Sequence, residues 1–287
     1  MSDFLNAVIS GTGFGSLYGL VALGLVVVFK STGILNFSAG ALMAVGGLVA
    51  ASVGHGFWIS AAVAIAVVAA IGGTANLVVM RPLLGRGLFP GVMVTIGLAS
   101  ILQGVAGIKF GHQATFLDSP VGQASFGLPM HTTVSTTLLV AFVISVTATV
   151  VLSVAFRRTA VGLQLRAAAS RPEVAAAFGA NPTWIFTYAW AAAGALAALA
   201  GALLASLTVA DLSIAAFALR AFSAMIVGGV DSLGGAMLGG VLVGVIELLA
   251  GTYLGNDFRI PSTMVLLMVF LLFRPQGLFG SPEVVRP

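Results

Sequence analysis

The chain has 287 residues, 59% of them hydrophobic and only 7% charged, with a net charge of +4 and no cysteine. A soluble domain carries about 25% charged residues, so a water-covered globule is excluded, and a mean hydropathy of +1.14 points to lipid as the solvent. Disulfides, thiol chemistry and cysteine-ligated metal are excluded with cysteine. The basic excess is what the positive-inside rule places beside membrane spans, not a nucleic-acid surface.

In lipid every backbone N–H and C=O must find a partner inside the protein, which leaves helices or closed barrels. Continuous apolar runs such as Val21–Phe29, Ala61–Ile71 and Met264–Phe273 lack the alternation of a barrel strand. The N-terminus offers Asp3 rather than a positive cluster, so no cleavable signal peptide is expected. A span needs roughly 20 apolar residues. In chain order the candidates are 8–29, 37–53, 57–79, 90–110, 134–155, 184–208, 213–230, 235–254 and 260–273. The pieces 37–53, 213–230 and 260–273 are short enough to be half-spans.

The expected fold is an all-α polytopic transmembrane bundle of about eight to nine spans, some short or broken, in one domain over 1–287. Placing Arg81 with Arg86, the cluster from Arg157 to Arg171, and Arg274 with Arg286 in the cytoplasm orients the spans. An outside N-terminus satisfies all three groups and puts Lys30 inside as well. On the opposite face lies 111–133, whose Asp118, Pro120, Gly122, Gly127 and Pro129 predict a short external hairpin.

Thirty-seven glycines allow close helix approach. Gly235, Gly239 and Val243 or Gly244 form a face of small residues, and paired glycines at 46–47, 228–229 and 234–235 also suit broken helices near a pathway. Ser38 to Met43 and Ser232 to Met237 share Ser, Gly and Met, a weak echo of the paired short segments that mark transporter sites. Polar groups at membrane depth are pathway candidates by default. They are Arg220 and Glu247 within spans, with Asn36, Ser38 and Ser232 at the interruptions; Asn36, Asn76 and Gln103 also offer caps to broken helices. Lys30 and Asp231 sit at span ends.

The loop at about 157–183 gathers Arg157, Arg158, Arg166, Arg171 and Glu173 between two spans. Gly162–Ala169 has high helix propensity. Ser170 and Glu173 read as a capping box, and Gly179 with Pro182 stops the short helix that follows. That helix, about 171–178, sets Val174, Ala177 and Phe178 on one face, suited to docking in a groove. The scattered His55, His112 and His131 lack metal-ligand spacing, and no nucleophile motif or phosphate-binding loop occurs. An enzyme is therefore not expected, and energy for transport must come from elsewhere.

Four blocks in order resemble the permeases of branched-chain amino acid ABC importers of the LivH type. They are Gly19–Leu25 through Gly33–Gly40; Gly162 through Arg166 to Gly179; Gly228 through Ser232, Gly235, Gly239, Gly244 and Glu247; and Arg274–Gly280. The resemblance implies a multi-pass protein of the bacterial plasma membrane, paired with a second, related permease subunit. It further implies two cytoplasmic ATPase subunits that bind ATP and Mg, and an extracytoplasmic solute-binding protein. Arg166, Arg171, Glu173, Val174, Phe178 and Gly179 would then form the ATPase coupling segment. The solute would be a branched-chain or hydrophobic amino acid or a similar small organic molecule, although Ala39 and Ala41 stand where many members carry His and an acidic residue. The alternative class is a self-contained channel or secondary carrier.

Overall fold

The computed structural model describes residues 2–83, 87–111, 116–122, 125–128, 132–170 and 181–280. Most of these residues are helical. In chain order come α1 (Ser2–Thr32), α2 (Ala39–Ser52), α3 (Phe57–Ala75), α4 (Leu88–Phe110), a hairpin of β1 (Ser125–Leu128) and β2 (Thr132–Ser135), α5 (Thr136–Arg158) and α6 (Ala160–Ser170). After them come α7 (Pro182–Ala205), α8 (Phe217–Gly228), α9 (Leu233–Tyr253) and α10 (Arg259–Phe273).

Among the described residues seven helical stretches are long and apolar enough to cross a membrane, and Ala39–Ser52 and Leu212–Gly228 are shorter apolar helices. Each of the nine candidate spans thus has its helix. Two extend further than the apolar runs suggest. Helix α3 continues through a π-turn at Asn76–Met80 and a 3-10 turn at Arg81–Leu83, and α10 is preceded by the 3-10 turn Asn256–Phe258. The expected external hairpin is a two-stranded antiparallel ribbon with Ser125 opposite Ser135 and Leu128 opposite Thr132.

The local sequence explains where helices stop. Gly33, at φ 70, takes the left-handed conformation that ends α1, and its N–H bonds Phe29 O at 2.8 Å. Pro182 opens α7, where its missing N–H is an orphan anyway. Asp211 caps the 3-10 turn Leu212–Ala216 by accepting from Ser213 N at 2.8 Å, and α8 follows directly.

The interior is built around α1 and α7, which are almost wholly enclosed, while α10 lies on the outside. Helices α1 and α9 run antiparallel along a glycine seam. A Cβ added at Gly15 would fall 2.5 Å from Gly240 O, and one at Gly11 would fall 2.7 Å from Val245 Cα. Helix α9 has a second small face, where Gly239 meets Ala224 and Gly235 meets Gly228 of α8. Lipid supplies no hydrophobic drive between helices, so such backbone-to-backbone packing is what holds them. Helix α3 packs antiparallel on α7, with Gly72 against Trp190 and Gly194 against Val68. Within that contact Asn76, buried in the π-turn, donates to Thr187 Oγ1 at 2.9 Å.

Candidate functional site

Helix α2 has 14 residues, so it rises only about 21 Å against a hydrocarbon core of about 30 Å. The chain therefore reaches membrane depth as irregular backbone between Gly33 and Ser38. Such backbone persists only where side chains satisfy it. Asn36 and Ser38 do so locally: Asn36 Oδ1 accepts from Ser38 N at 3.0 Å and from Ser38 Oγ at 2.6 Å. Thr95 of α4 does so from across the bundle. Its Oγ1 accepts from Phe37 N at 3.1 Å and shares its proton between Val92 O at 2.8 Å and Leu35 O at 3.3 Å. Asn36, Ser38 and Thr95 are all buried. Phe37 turns the other way, stacked on Phe222 of α8 with ring centroids 4.6 Å apart.

A second interruption lies at Gly229–Ser232, between α8 and α9. Ser232 caps α9 by accepting from Gly235 N at 3.0 Å. The last carbonyls of α8 are taken by the C-terminal run: Leu278 N bonds Val227 O at 2.8 Å and Phe279 N bonds Gly228 O at 3.1 Å. This is a local reason for the Arg274–Gly280 sequence, which folds back through Gly277 at φ 75 to close the end of a helix distant in sequence.

Arg220 and Glu247 meet each other. Arg220 Nε stands 3.0 Å from Glu247 Oε2, and Arg259 Nη2 of α10 stands 3.3 Å from Oε1. Tyr18 of α1 donates to Oε2 at 2.8 Å, and the Arg220 guanidinium lies over the Phe217 ring at 4.7 Å. Glu247 has no exposed surface. One carboxylate thus joins α1, α8, α9 and α10. Neither Nε is aligned for a hydrogen bond, so the attraction is ionic, and two cations face one anion.

On the basic side the groups expected in the cytoplasm converge. Lys30, Arg157, Arg166, Asp231 and Ser232 surround a cavity of about 680 Å³. Lys30 Nζ donates to Asp231 O at 2.8 Å, tying the end of α1 to the α8–α9 turn. Arg166 of α6 donates to Phe156 O of α5. Helix α6 packs on α1, α5 and α7, with Leu165 and Ala168 buried. It ends at Ser170, the residue expected to cap the next helix; Arg171, Glu173, Val174, Phe178 and Gly179 lie outside the described residues. On the opposite side Asp118, Ser119, Gly122, Thr137 and Thr208 border a cavity of about 890 Å³.

The structure therefore brings Asn36 and Ser38 together at one break, places Ser232 at the other, and joins Arg220 to Glu247. Sequence reasoning passed over Thr95, Phe37 with Phe222, Tyr18 and Arg259. Arg259 stood at a span end, where a basic residue reads as a topology signal. Thr95 and Tyr18 are unremarkable in an apolar run, and only their distant partners distinguish them.

The family model described as branched-chain amino acid transport system, permease component, matches residues 7–274. The chain is 29% identical over 300 residues to the high-affinity branched-chain amino acid transport system permease protein LivH of Salmonella typhimurium, covering 99% of this chain and 97% of that one. Identity is 28% to the permease BraD of Pseudomonas aeruginosa, covering 99% and 98%. It is also 28% to a probable LivH of Methanocaldococcus jannaschii, covering 93% and 90%. Among solved structures, PsaBC from Streptococcus pneumoniae in complex with Fab aligns at a TM-score of 0.49 and 14% identity, over 96% of this chain and 93% of that one.

Proposed function

Since the chain belongs to the family of branched-chain amino acid transport permeases, multi-pass subunits of ABC importers in the inner membrane, we propose that it carries a branched-chain or similarly apolar amino acid inward. In this reading a second, related permease subunit stands beside it. Two cytoplasmic ATPase subunits bind ATP and Mg, and an extracytoplasmic binding protein delivers the solute to the face bordered by Asp118, Ser119 and Thr208.

The observation that supports this most is the connection of α6 to both helix interruptions. Arg166 reaches the end of α5, and the same cavity is walled by Lys30 at the end of α1 and Ser232 at the start of α9. A push on the segment after Ser170 is thereby delivered to α1, α5 and α9 together. The α1 end leads directly into the Asn36–Ser38 break. The buried carboxylate of Glu247 ties α1, α8, α9 and α10 to one another at a point distant in sequence from the Asn36–Ser38 and Gly229–Ser232 breaks. In this scheme Asn36, Ser38 and Ser232 act at the pathway's flexible points. Arg220 and Glu247 act on it by holding α8. Arg171, Glu173, Val174, Phe178 and Gly179 provide the ATPase contact.

The test is co-expression with the ATPase, the second permease and the binding protein, followed by reconstitution. Uptake should require ATP and be stimulated by the loaded binding protein. Phe178→Asp should abolish stimulation while the protein remains in the membrane. Solute flux through this chain alone, without ATPase, would overturn the importer reading in favour of a channel or carrier.

A further inference from the structure

A basic residue at the cytoplasmic end of a span serves as a topology signal. Three of them, from three different helices, also share a cavity. Lys30 at the end of α1, Arg157 at the end of α5 and Arg166 on α6 all wall the space of about 680 Å³ on the cytoplasmic side. Asp231 is the one acid in that wall, and its Oδ1 turns to the C-terminal run, 3.4 Å from where a Cβ on Gly280 would stand. Lys30 is half-buried and gives one proton to Asp231 O. Neither Lys30 nor Arg157 forms an ion pair among the described residues. An ammonium has three donors, so the charge of Lys30 and two of its protons remain for a guest.

The start of α9 adds to the same wall. The N–H groups of Leu233 and Gly234 find no acceptor among the described residues. A Cβ added at Gly234 would meet nothing within 4 Å. The first N–H groups of a helix point out of its start and favour negative charge.

The wall is not polar throughout. Leu238 and Phe279, each roughly half exposed, line the cavity beside the cations. On α5, Val154 and Val150 precede Arg157 by three and seven residues and so share its strip of the helix, again roughly half exposed. Helix α5 packs on α9. By the helix rise Leu238 lies about 6 Å deeper in the membrane than Gly234, and Val150 about 10 Å deeper than Arg157. The cationic cavity therefore continues into an aliphatic surface at membrane depth. A soluble anion has no use for that surface, whereas a phospholipid fits both parts.

We infer that this cavity holds the headgroup of an anionic phospholipid of the cytoplasmic leaflet, its phosphate on Lys30 and Arg157 and its chains along Val154, Val150 and Leu238. Basic pockets between span ends on this side of a membrane suit such headgroups. The guanidinium fork matches phosphate oxygens, and the lysine acts as a point charge. A lipid seated there bridges the ends of α1 and α5 and the start of α9. The inference goes beyond the importer reading and needs only the placement in the membrane.

The full chain, purified in a neutral detergent and stripped of lipid, is titrated with dioctanoyl phosphatidylglycerol while its thermal midpoint is followed. A ligand that binds only the folded state raises that midpoint. Phosphatidylglycerol should raise it, and dioctanoyl phosphatidylcholine at the same concentration should not. Lys30→Gln and Arg157→Gln should each weaken the apparent affinity about fivefold, the worth of one basic residue beside anionic lipid. Arg158→Gln removes the same charge outside the cavity wall and should leave the affinity unchanged. Leu238→Ser should weaken it through the chains. Should Lys30→Gln fail to fold, Arg157→Gln carries the test, because Arg157 is exposed. Equal stabilisation by phosphatidylcholine overturns the inference. So does an Arg158→Gln as damaging as Arg157→Gln, which would mark diffuse surface charge. Equal protection by glycerol 3-phosphate would make this a site for soluble phosphate and overturns the lipid. If Arg157→Gln keeps its lipid affinity yet releases co-purifying ATPase subunits, the cavity receives a protein acid and the inference falls.

Discussion

The seam between α1 and α9 and the outer strip of α4 use the same residue in opposite ways. At the seam Gly15 and Gly240 let two backbones touch, so that a Cβ on Gly15 would lie 2.5 Å from a carbonyl oxygen. On α4, Gly97 and Gly104 leave their space empty. The first use makes the bundle cohere, because lipid contributes no hydrophobic drive between helices. The second keeps a surface clear beside the exposed carboxamide of Gln103. Glycine content alone, 37 residues, does not separate the two.

Substitutions at the two places should diverge. Gly240→Leu should have the largest effect: its side chain meets the backbone of Gly15 and Gly19, which cannot retreat without parting α1 from α9. A loss of about 3 kcal/mol or more is expected, seen as failure to recover monodisperse protein from detergent. Glu247→Gln should come next, at about 3–5 kcal/mol, because it leaves Arg220 buried without its anion. The double variant with Arg220→Met should recover part of that loss in thermal melts; no recovery would mean that the pair does not act as a unit. Thr95→Val should cost about 1–2 kcal/mol by leaving Phe37 N and Leu35 O without their partner. It should also loosen the Phe37–Phe222 stack, which Thr95 steadies through Phe37 N. The smallest effect separates the two glycine sites most cleanly. Gly97→Ala should stabilise by about 0.5–1 kcal/mol, since helix propensity improves and nothing is struck. If Gly97→Ala destabilises the isolated chain, the α4 glycines are packed after all and the contrast fails.

Much of the bundle is legible before any coordinates, because a span must be about as long as the bilayer is thick. Even the short pieces 37–53 and 213–230 stand out by length. The candidate site is less legible. Asn36 and Ser38 announce themselves as polar residues at an interruption, and they do bond to each other. Glu247 is conspicuous as a buried acid, but its partners come from α1, α8 and α10, and no spacing rule connects Tyr18 with Glu247 across 229 positions. Gln103 is an ordinary polar residue by sequence, and it lies exposed in mid-helix, where α4 has no break to cap.

The sequence by itself determined the solvent, the placement of the apolar spans, and which span ends carry the basic residues. Those follow from composition and from windows of about 20 residues, both local properties. Only the tertiary structure decided which glycines touch, which acid pairs with which base, and which strip of α4 is left open. A helix presents its whole circumference, and the neighbour each face meets depends on how helices distant in sequence pack around it. Backbone contact at Gly15 and open space at Gly104 are thus outcomes of packing.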